Sequence, residues 1–181
     1  HNYLLTNPED VAATVREAFH VARSGRPGPV LIDMTKDCQQ KACDFAWPEE
    51  AAPVRERPDL APGEADLARA VNLIHQAKRP LILAGNGIIA SGASDLVRQF
   101  AEHADIPIAM TLLGIGGVPA SHPLNLGMMG MHGEAWVNTS IQEADLLIAL
   151  GMRFDDRVTG NVKTYALNAK KIHLEIDRSE I

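Results

Sequence analysis

Two arginines bracket two aspartates in Gly151-Met152-Arg153-Phe154-Asp155-Asp156-Arg157-Val158-Thr159-Gly160. A guanidinium fork can grip a phosphate or a carboxylate bidentately, and neighbouring acids orient it. The alternative is a self-neutralised loop of surface ion pairs, each worth about 0–1 kcal/mol. Gly85-Asn86-Gly87-Ile88-Ile89-Ala90 fits G-x-G-x-x-A, in which glycines let backbone N–H groups approach a pyrophosphate or a flat ring. It reads equally as a tight turn with no ligand. A dinucleotide fingerprint also wants an acid about 20 residues on, at the end of the next strand. That position holds Thr111-Leu112 instead, which disfavours ordinary NAD binding. Acids do occur at the end of the last apolar run, as Glu175 and Asp177, where they could hold a ribose or simply cap a solvated strand.

Gly127-Met128-Met129-Gly130-Met131-His132-Gly133 packs three methionines and one histidine among glycines. Methionine offers a soft, adaptable surface to a flat ligand, although core filling is its commoner use. Arg26 and Lys36 flank another short apolar run and could add two anion contacts. No Ser-His-Asp order, zinc spacing, Walker loop or paired-carboxylate signature stands out. These residues read as binding apparatus for a large, planar, phosphate-bearing ligand.

Elements must position them. Asn7-Pro8-Glu9-Asp10 is a helix start, with Asn7 as cap and Pro8 at the first helical position. Val11, Val15, Ala18, Phe19 and Ala22 then recur with helical period up to Gly25. A turn at 25–29 precedes a strand, Val30 to Asp33. Residues 41–63 are proline-rich and acidic without a period, and read as a linker. Beyond it, a helix over 64–78, one through Leu96, Val97, Phe100 and Ala101 and one over 134–143 alternate with apolar runs at 80–84, 106–110, 146–150 and 171–176. A long loop spans 111–133. Continuous aliphatic strands alternating with helices predict a doubly wound α/β fold, a parallel sheet covered on both faces. Ligands of such a sheet bind beyond the carboxyl ends of its strands, where the glycine, methionine and Arg/Asp strings above lie.

Composition narrows the function. With 17 Lys+Arg against 23 Asp+Glu the net charge is −6, which argues against nucleic-acid and anionic-membrane surfaces. Two Trp, two Tyr and four Phe leave an aliphatic core. No run approaches the roughly 18–20 apolar residues of a membrane span. Cys38 and Cys43 are too few for a disulfide framework, so a reduced, cytoplasmic chain is the expectation. The chain starts at His1 rather than Met, which suggests a piece of something longer.

Read together, these strings resemble the catalytic subunits of the acetolactate synthase (acetohydroxyacid synthase) family of thiamine-diphosphate-dependent enzymes. The matching stretches are Gly25-Arg-Pro-Gly-Pro-Val-Leu-Ile-Asp33 with Lys36-Asp37, Lys78-Arg-Pro80, Thr111-Leu-Leu-Gly-Ile-Gly116, Gly130-Met-His-Gly133, Gly151 to Gly160, and Ile172-His-Leu-Glu-Ile-Asp177. They run almost end to end, and the string from Arg153 to Gly160 is highly specific. The resemblance implies that residues 1–40 end a pyrimidine-binding domain, and that 64–181 form most of a Rossmann-like central domain that binds FAD.

The FAD contacts it implies are Arg26, Gly85, Asn86, Gly87, Thr111, Leu112, Met129, Gly130, Met131, His132, Gly151, Met152, Arg153, Phe154, Asp155, Asp156, Arg157, Glu175 and Ile176. Lys36, Met131, Asp156 and Arg157 would also face a substrate channel. The chain departs from the family pattern at Asn86, where glycine is frequent, and at Thr35, where proline is usual.

The implied reaction decarboxylates pyruvate on thiamine diphosphate, held with Mg²⁺. It then condenses the product with pyruvate or 2-oxobutyrate, in branched-chain amino-acid biosynthesis, with no net redox change of FAD. The family works as homo-oligomers, and a small regulatory subunit can accompany it. The competing readings are a glyoxylate carboligase-like sister enzyme and a non-catalytic nucleotide-binding module. The resemblance places the activating glutamate upstream of His1 and the Gly-Asp-Gly motif for Mg²⁺ and diphosphate beyond Ile181. No catalytic and no metal-binding residue is therefore expected within the chain. The 181-residue chain alone is expected to form no acetolactate from pyruvate; formation above a protein-free blank would refute this.

Overall fold

The computed structural model describes residues 1–46 and 61–181. These divide into two compact units, His1–Ala61 and Pro62–Ile181. Most of the sequence-predicted linker, residues 47–60, lies outside the described residues.

In the first unit, strand β1 (Asn2–Leu5) pairs in parallel with β2 (Leu31–Met34), from Asn2 opposite Leu31 to Leu5 opposite Met34. Helix α1 (Val11–Arg23) connects them and α2 (Lys36–Gln40) follows. Sequence reasoning does not see β1, a four-residue segment too short to show a period. It does place α1, but not the detail of its start. Pro8–Asp10 forms a 3-10 turn, and Asn7 makes no side-chain cap; its carbonyl accepts from Asp10 N at 3.3 Å. At the far end Ser24 Oγ donates to Val21 O at 3.1 Å, and Gly25 turns the chain with φ of +54°.

The second unit is the expected α/β sheet. Helix α3 (Glu64–Gln76) leads into β3 (Pro80–Ala84). Two helices then follow, α4 (Asn86–Ala90) and α5 (Ser94–Ala104), where one was predicted; the chain turns at Gly92 with φ of +72°. β4 (Ile108–Met110) comes next, then β5 (Asn125–Met128), α6 (Ala135–Glu143) and β6 (Leu146–Leu150). The short α7 (Asp156–Thr159) and β7 (Lys170–Leu174) complete the unit. All pairings are parallel, in the order β5-β4-β3-β6-β7.

In this unit β5 is the strand that the sequence reading lacks. Gly127 has φ of +108°, and the register against β4 shifts between Ile108 and Ala109, so no apolar alternation marks it. Its backbone is fastened by side chains instead. Asn125 Oδ1 accepts from Gly127 N at 2.9 Å, Glu134 Oε2 accepts from Met128 N at 2.6 Å, and Trp136 Nε1 donates to Leu126 O at 2.9 Å.

Strand period sorts the core into two layers. Leu81, Leu83, Ala109, Leu147 and Ala149 face α6 through Val137 and Ile141. Ile82, Ala84, Ile108, Met110, Leu146 and Ile148 face Ile88, Val97 and Ala101 of α4 and α5. Both faces are covered, which is why β3 and β6 read as unbroken aliphatic runs.

At the N-terminal end of β3 and β6, Asp145 accepts from Lys78 N at 2.7 Å and Arg79 N at 2.9 Å. The Lys78 N–H, followed by that of Arg79, holds the Asp145 carboxyl below its ordinary value. A carboxylate with a depressed folded-state pKa contributes stability above its unfolded pKa, and that contribution is lost as pH falls through the folded value. Asp145→Ala should cost about 1 kcal/mol at neutral pH. The gap between variant and wild type in urea unfolding should close as pH drops below the carboxylate range. A constant gap would refute the ionic origin.

Candidate functional site

In the order β5-β4-β3-β6-β7 the chain reverses direction of growth between β3 and β6, so the crevice in which sheets of this topology take their ligands is the one outside the carboxyl ends of these two strands. The turns leaving them touch. Gly87 N donates to Gly151 O at 2.9 Å, and Gly85 N donates to Leu150 O at 3.0 Å. A Cβ on Gly87 would stand 2.5 Å from Gly151 Cα, and one on Gly85 would collide with Gly151 O and lie 2.5 Å from Met152 Cβ. The turn after β4 joins them. Thr111 N donates to Ala84 O at 2.9 Å, and Thr111 Oγ1 accepts from Gly114 N at 3.1 Å. A Cβ on Gly114 would be 3.1 Å from Gly85 Cα. The glycines of the G-x-G-x-x-A string are thus demanded by backbone-on-backbone contact. Asn86 is exposed at the tip of that turn, as the first residue of α4.

The Arg/Asp string folds as a capped turn. Asp155 Oδ1 accepts from Arg157 N at 3.1 Å and Val158 N at 3.2 Å, which starts α7. Phe154 points inward, edge-on to Tyr165 at 6.1 Å and to His173 at 5.2 Å. Burial pushes the Tyr165 hydroxyl up to about 12. His173 Nε2 lies 2.8 Å from Met152 O, fixing the carbonyl beside the crevice.

The two arginines are not equivalent. Arg153 lies 3.4 Å from Glu180 and 3.7 Å from Asp155, so the self-neutralised reading describes it well. The Arg157 side chain is 73% exposed, with Asp156 at 4.0 Å from its Nε. It is the cation better placed to receive an anion.

The glycine- and methionine-rich loop reaches the same place. Met129 N donates to Met110 O at 2.9 Å, and Met131 N donates to Arg157 O at 2.8 Å. A Cβ on Gly130 would lie 2.7 Å from Arg157 O. The side chains of Met129 and Met152 are buried in the core, so these two offer only backbone to the crevice, whereas Met131 and His132 are exposed. Leu112 and Leu113, at 69% and 72% exposure, present an apolar wall. Glu175 follows β7 directly and accepts from Ile176 N at 2.9 Å and Asp177 N at 3.2 Å.

Asn138 is the residue the sequence did not announce. Its amide brackets Gly130, accepting from Gly130 N at 3.0 Å and donating to Gly130 O at 2.9 Å. A lone Asn inside a helix carries no motif that reveals this. Arg26, in the turn before β2, and Lys36, at the start of α2, belong to the first unit and are described there alone.

The family model "Thiamine pyrophosphate enzyme, central domain" matches residues 67–181, the whole of the crevice-bearing sheet. The chain belongs to that family. Relatives extend the match to every residue. The chain is 47% identical over its full length to the acetolactate synthase large subunit of Corynebacterium glutamicum. It is 45% identical to acetolactate synthase 2, chloroplastic, of Nicotiana tabacum, and 44% to a probable acetolactate synthase large subunit of Methanocaldococcus jannaschii. It spans 29%, 27% and 31% of the length of these three relatives.

In this thiamine pyrophosphate enzyme domain, Gly87→Ala should destabilise by about 1–3 kcal/mol, because the methyl has only backbone to displace. Gly28→Ala has open space around its Cβ and should stay within about 0.5 kcal/mol of wild type. Thermal unfolding of the two variants checks the contrast; equal melting temperatures would remove the close approach as a constraint.

Proposed function

We propose that the chain is part of an acetolactate synthase catalytic subunit, and that its sheet is the platform for FAD. The whole enzyme would decarboxylate pyruvate on thiamine diphosphate, with Mg²⁺, and join the two-carbon unit to a second 2-oxo acid. The products would be 2-acetolactate or 2-aceto-2-hydroxybutyrate. The observation that carries this reading is Arg157, exposed beside Met131 at the switch crevice, within a chain similar over all its residues to acetolactate synthases.

The donor set suits a flavin dinucleotide. Gly85-Asn86-Gly87 and Gly151 bring backbone to the crevice with no side chain between the turns. Leu112 offers apolar surface, the backbone of Met129 to His132 lines one side, and Glu175 stands where a ribose hydroxyl pair could be accepted. The backbone of Arg153 and Phe154, with Asp155, Asp156 and Ile176, completes the set. FAD in this reading shapes the site and undergoes no net redox change.

Arg157 has the substrate role. Its guanidinium would bind the carboxylate of a 2-oxo acid, held in place by the Met131 N–H on its own carbonyl and by the Asp155 cap beneath it. Met131 and Asp156 would line the approach. Orienting the carboxylate is what this chain contributes to the chemistry. Assembly of the whole subunit as a homo-oligomer, with a small regulatory subunit, is part of the same proposal.

The test is pyruvate turnover by the product of the full-length reading frame, with and without thiamine diphosphate, Mg²⁺ and FAD. Acetolactate formation should need all three, and the purified protein should be yellow. Arg157→Leu should raise the KM for pyruvate about ten- to a hundredfold. Turnover indifferent to thiamine diphosphate would overturn the proposal.

A further inference from the structure

We infer that Met131 is an oxidation site whose sulfoxide is captured by Arg157, making the anion-gripping arginine responsive to peroxide. The part concerning substrate rests on the function proposed above; the oxidation and its capture do not. Of the six methionines, Met110, Met129 and Met152 are 3–4% exposed and Met34 and Met128 are half-buried. Met131 is 58% exposed. Oxidation of thioethers follows access to the sulfur, so this residue stands apart from the other five.

Its sulfur also has a designated neighbour. Arg157 Nη1 lies 3.8 Å from Met131 Sδ, while Asp156 approaches the opposite part of the guanidinium, at Nε. The backbone keeps the pair together. Met131 N is bonded to Arg157 O, Gly130 leaves no room for a Cβ against the same carbonyl, and Asn138 holds Gly130 on both sides. The two side chains therefore spring from fixed, adjacent points.

The chemistry is the transfer of one oxygen atom from hydrogen peroxide, a two-electron oxidation of the sulfur in which the peroxide is reduced. The sulfur lone pair attacks one peroxide oxygen, the O–O bond breaks, an S–O bond forms, and the second oxygen leaves as water after taking up a proton. A thioether is a weak acceptor. The sulfoxide oxygen is a strong one, and facing a guanidinium it forms a charge-assisted hydrogen bond. It would then occupy Nη1, the donor a substrate carboxylate needs. Reduction by the thiols of a methionine sulfoxide reductase returns the sulfide and water, with those thiols leaving as a disulfide.

The experiment treats the full-length holoenzyme with hydrogen peroxide and follows each methionine by peptide mass spectrometry. Met131 should gain its oxygen about tenfold faster than Met110, Met129 and Met152. Equal rates across the six, or a slow Met131, overturn the proposal. Capture by Arg157 is read without activity: a methionine sulfoxide reductase should clear the oxidised residue several-fold faster in Arg157→Leu than in wild type. Equal clearance overturns the capture.

In the active enzyme, oxidation should raise the KM for pyruvate about three- to tenfold with little change in kcat. The change should survive dithiothreitol, which restores oxidised Cys38 and Cys43, and be reversed by the reductase. Met131→Leu, whatever its starting KM, should show no shift under peroxide; a shift there overturns the coupling. An enzyme that never turns over pyruvate counts against the proposed function alone, and the mass and clearance measurements still decide the oxidation and its capture.

Discussion

The contact on which the site depends is backbone against backbone. Where β3 and β6 end, the turns at Gly85–Gly87 and Gly151 approach so closely that no Cβ fits between them, and Gly114 brings the turn after β4 onto the same spot. Three strand ends are thereby locked at one level. Four parts of the candidate site hang on this junction: the Gly-Asn-Gly tip, the Leu112 wall, the capped turn carrying Arg157 and the loop carrying Met131. A bulkier residue at the junction would move all of them together.

Much of this was legible in the sequence, for physical reasons. The strands β3 and β6 are covered on both faces, so their residues are uniformly aliphatic and cannot be mistaken for an alternating edge. The chemistry-bearing strings stand out because parallel topology puts all strand exits at one end, where sequence patterns of charge and glycine concentrate. The weak points were elements held by side chains rather than by pattern. β5 owes its existence to Asn125, Glu134 and Trp136. β1 is a short segment whose pairing with β2 is a long-range event. The Asn7 cap was a sound expectation from residue type, but a 3-10 turn took the place of the bond it would have made.

Within the candidate site the division is similar. The Arg-Phe-Asp-Asp-Arg string announces charge, yet only the fold shows that Glu180 and Asp155 engage Arg153 while Arg157 turns outward. The methionine run announces softness, yet burial separates Met129, a core residue, from Met131, an exposed one, two positions away. Spacing alone cannot make that distinction, because it depends on where the loop leaves β5. Asn138 is the clearest case: its double hold on Gly130 is purely a matter of three-dimensional arrangement.

The fastening of β5 has a consequence for how the sheet can meet other chains. An outer strand ordinarily presents a row of unmet donors and acceptors that invites further pairing. Here Leu126, Gly127 and Met128 each have a backbone group already engaged by a side chain, on the outermost strand of that flank. Strand addition on the β5 flank, in productive assembly or in aggregation, would first have to displace these side chains.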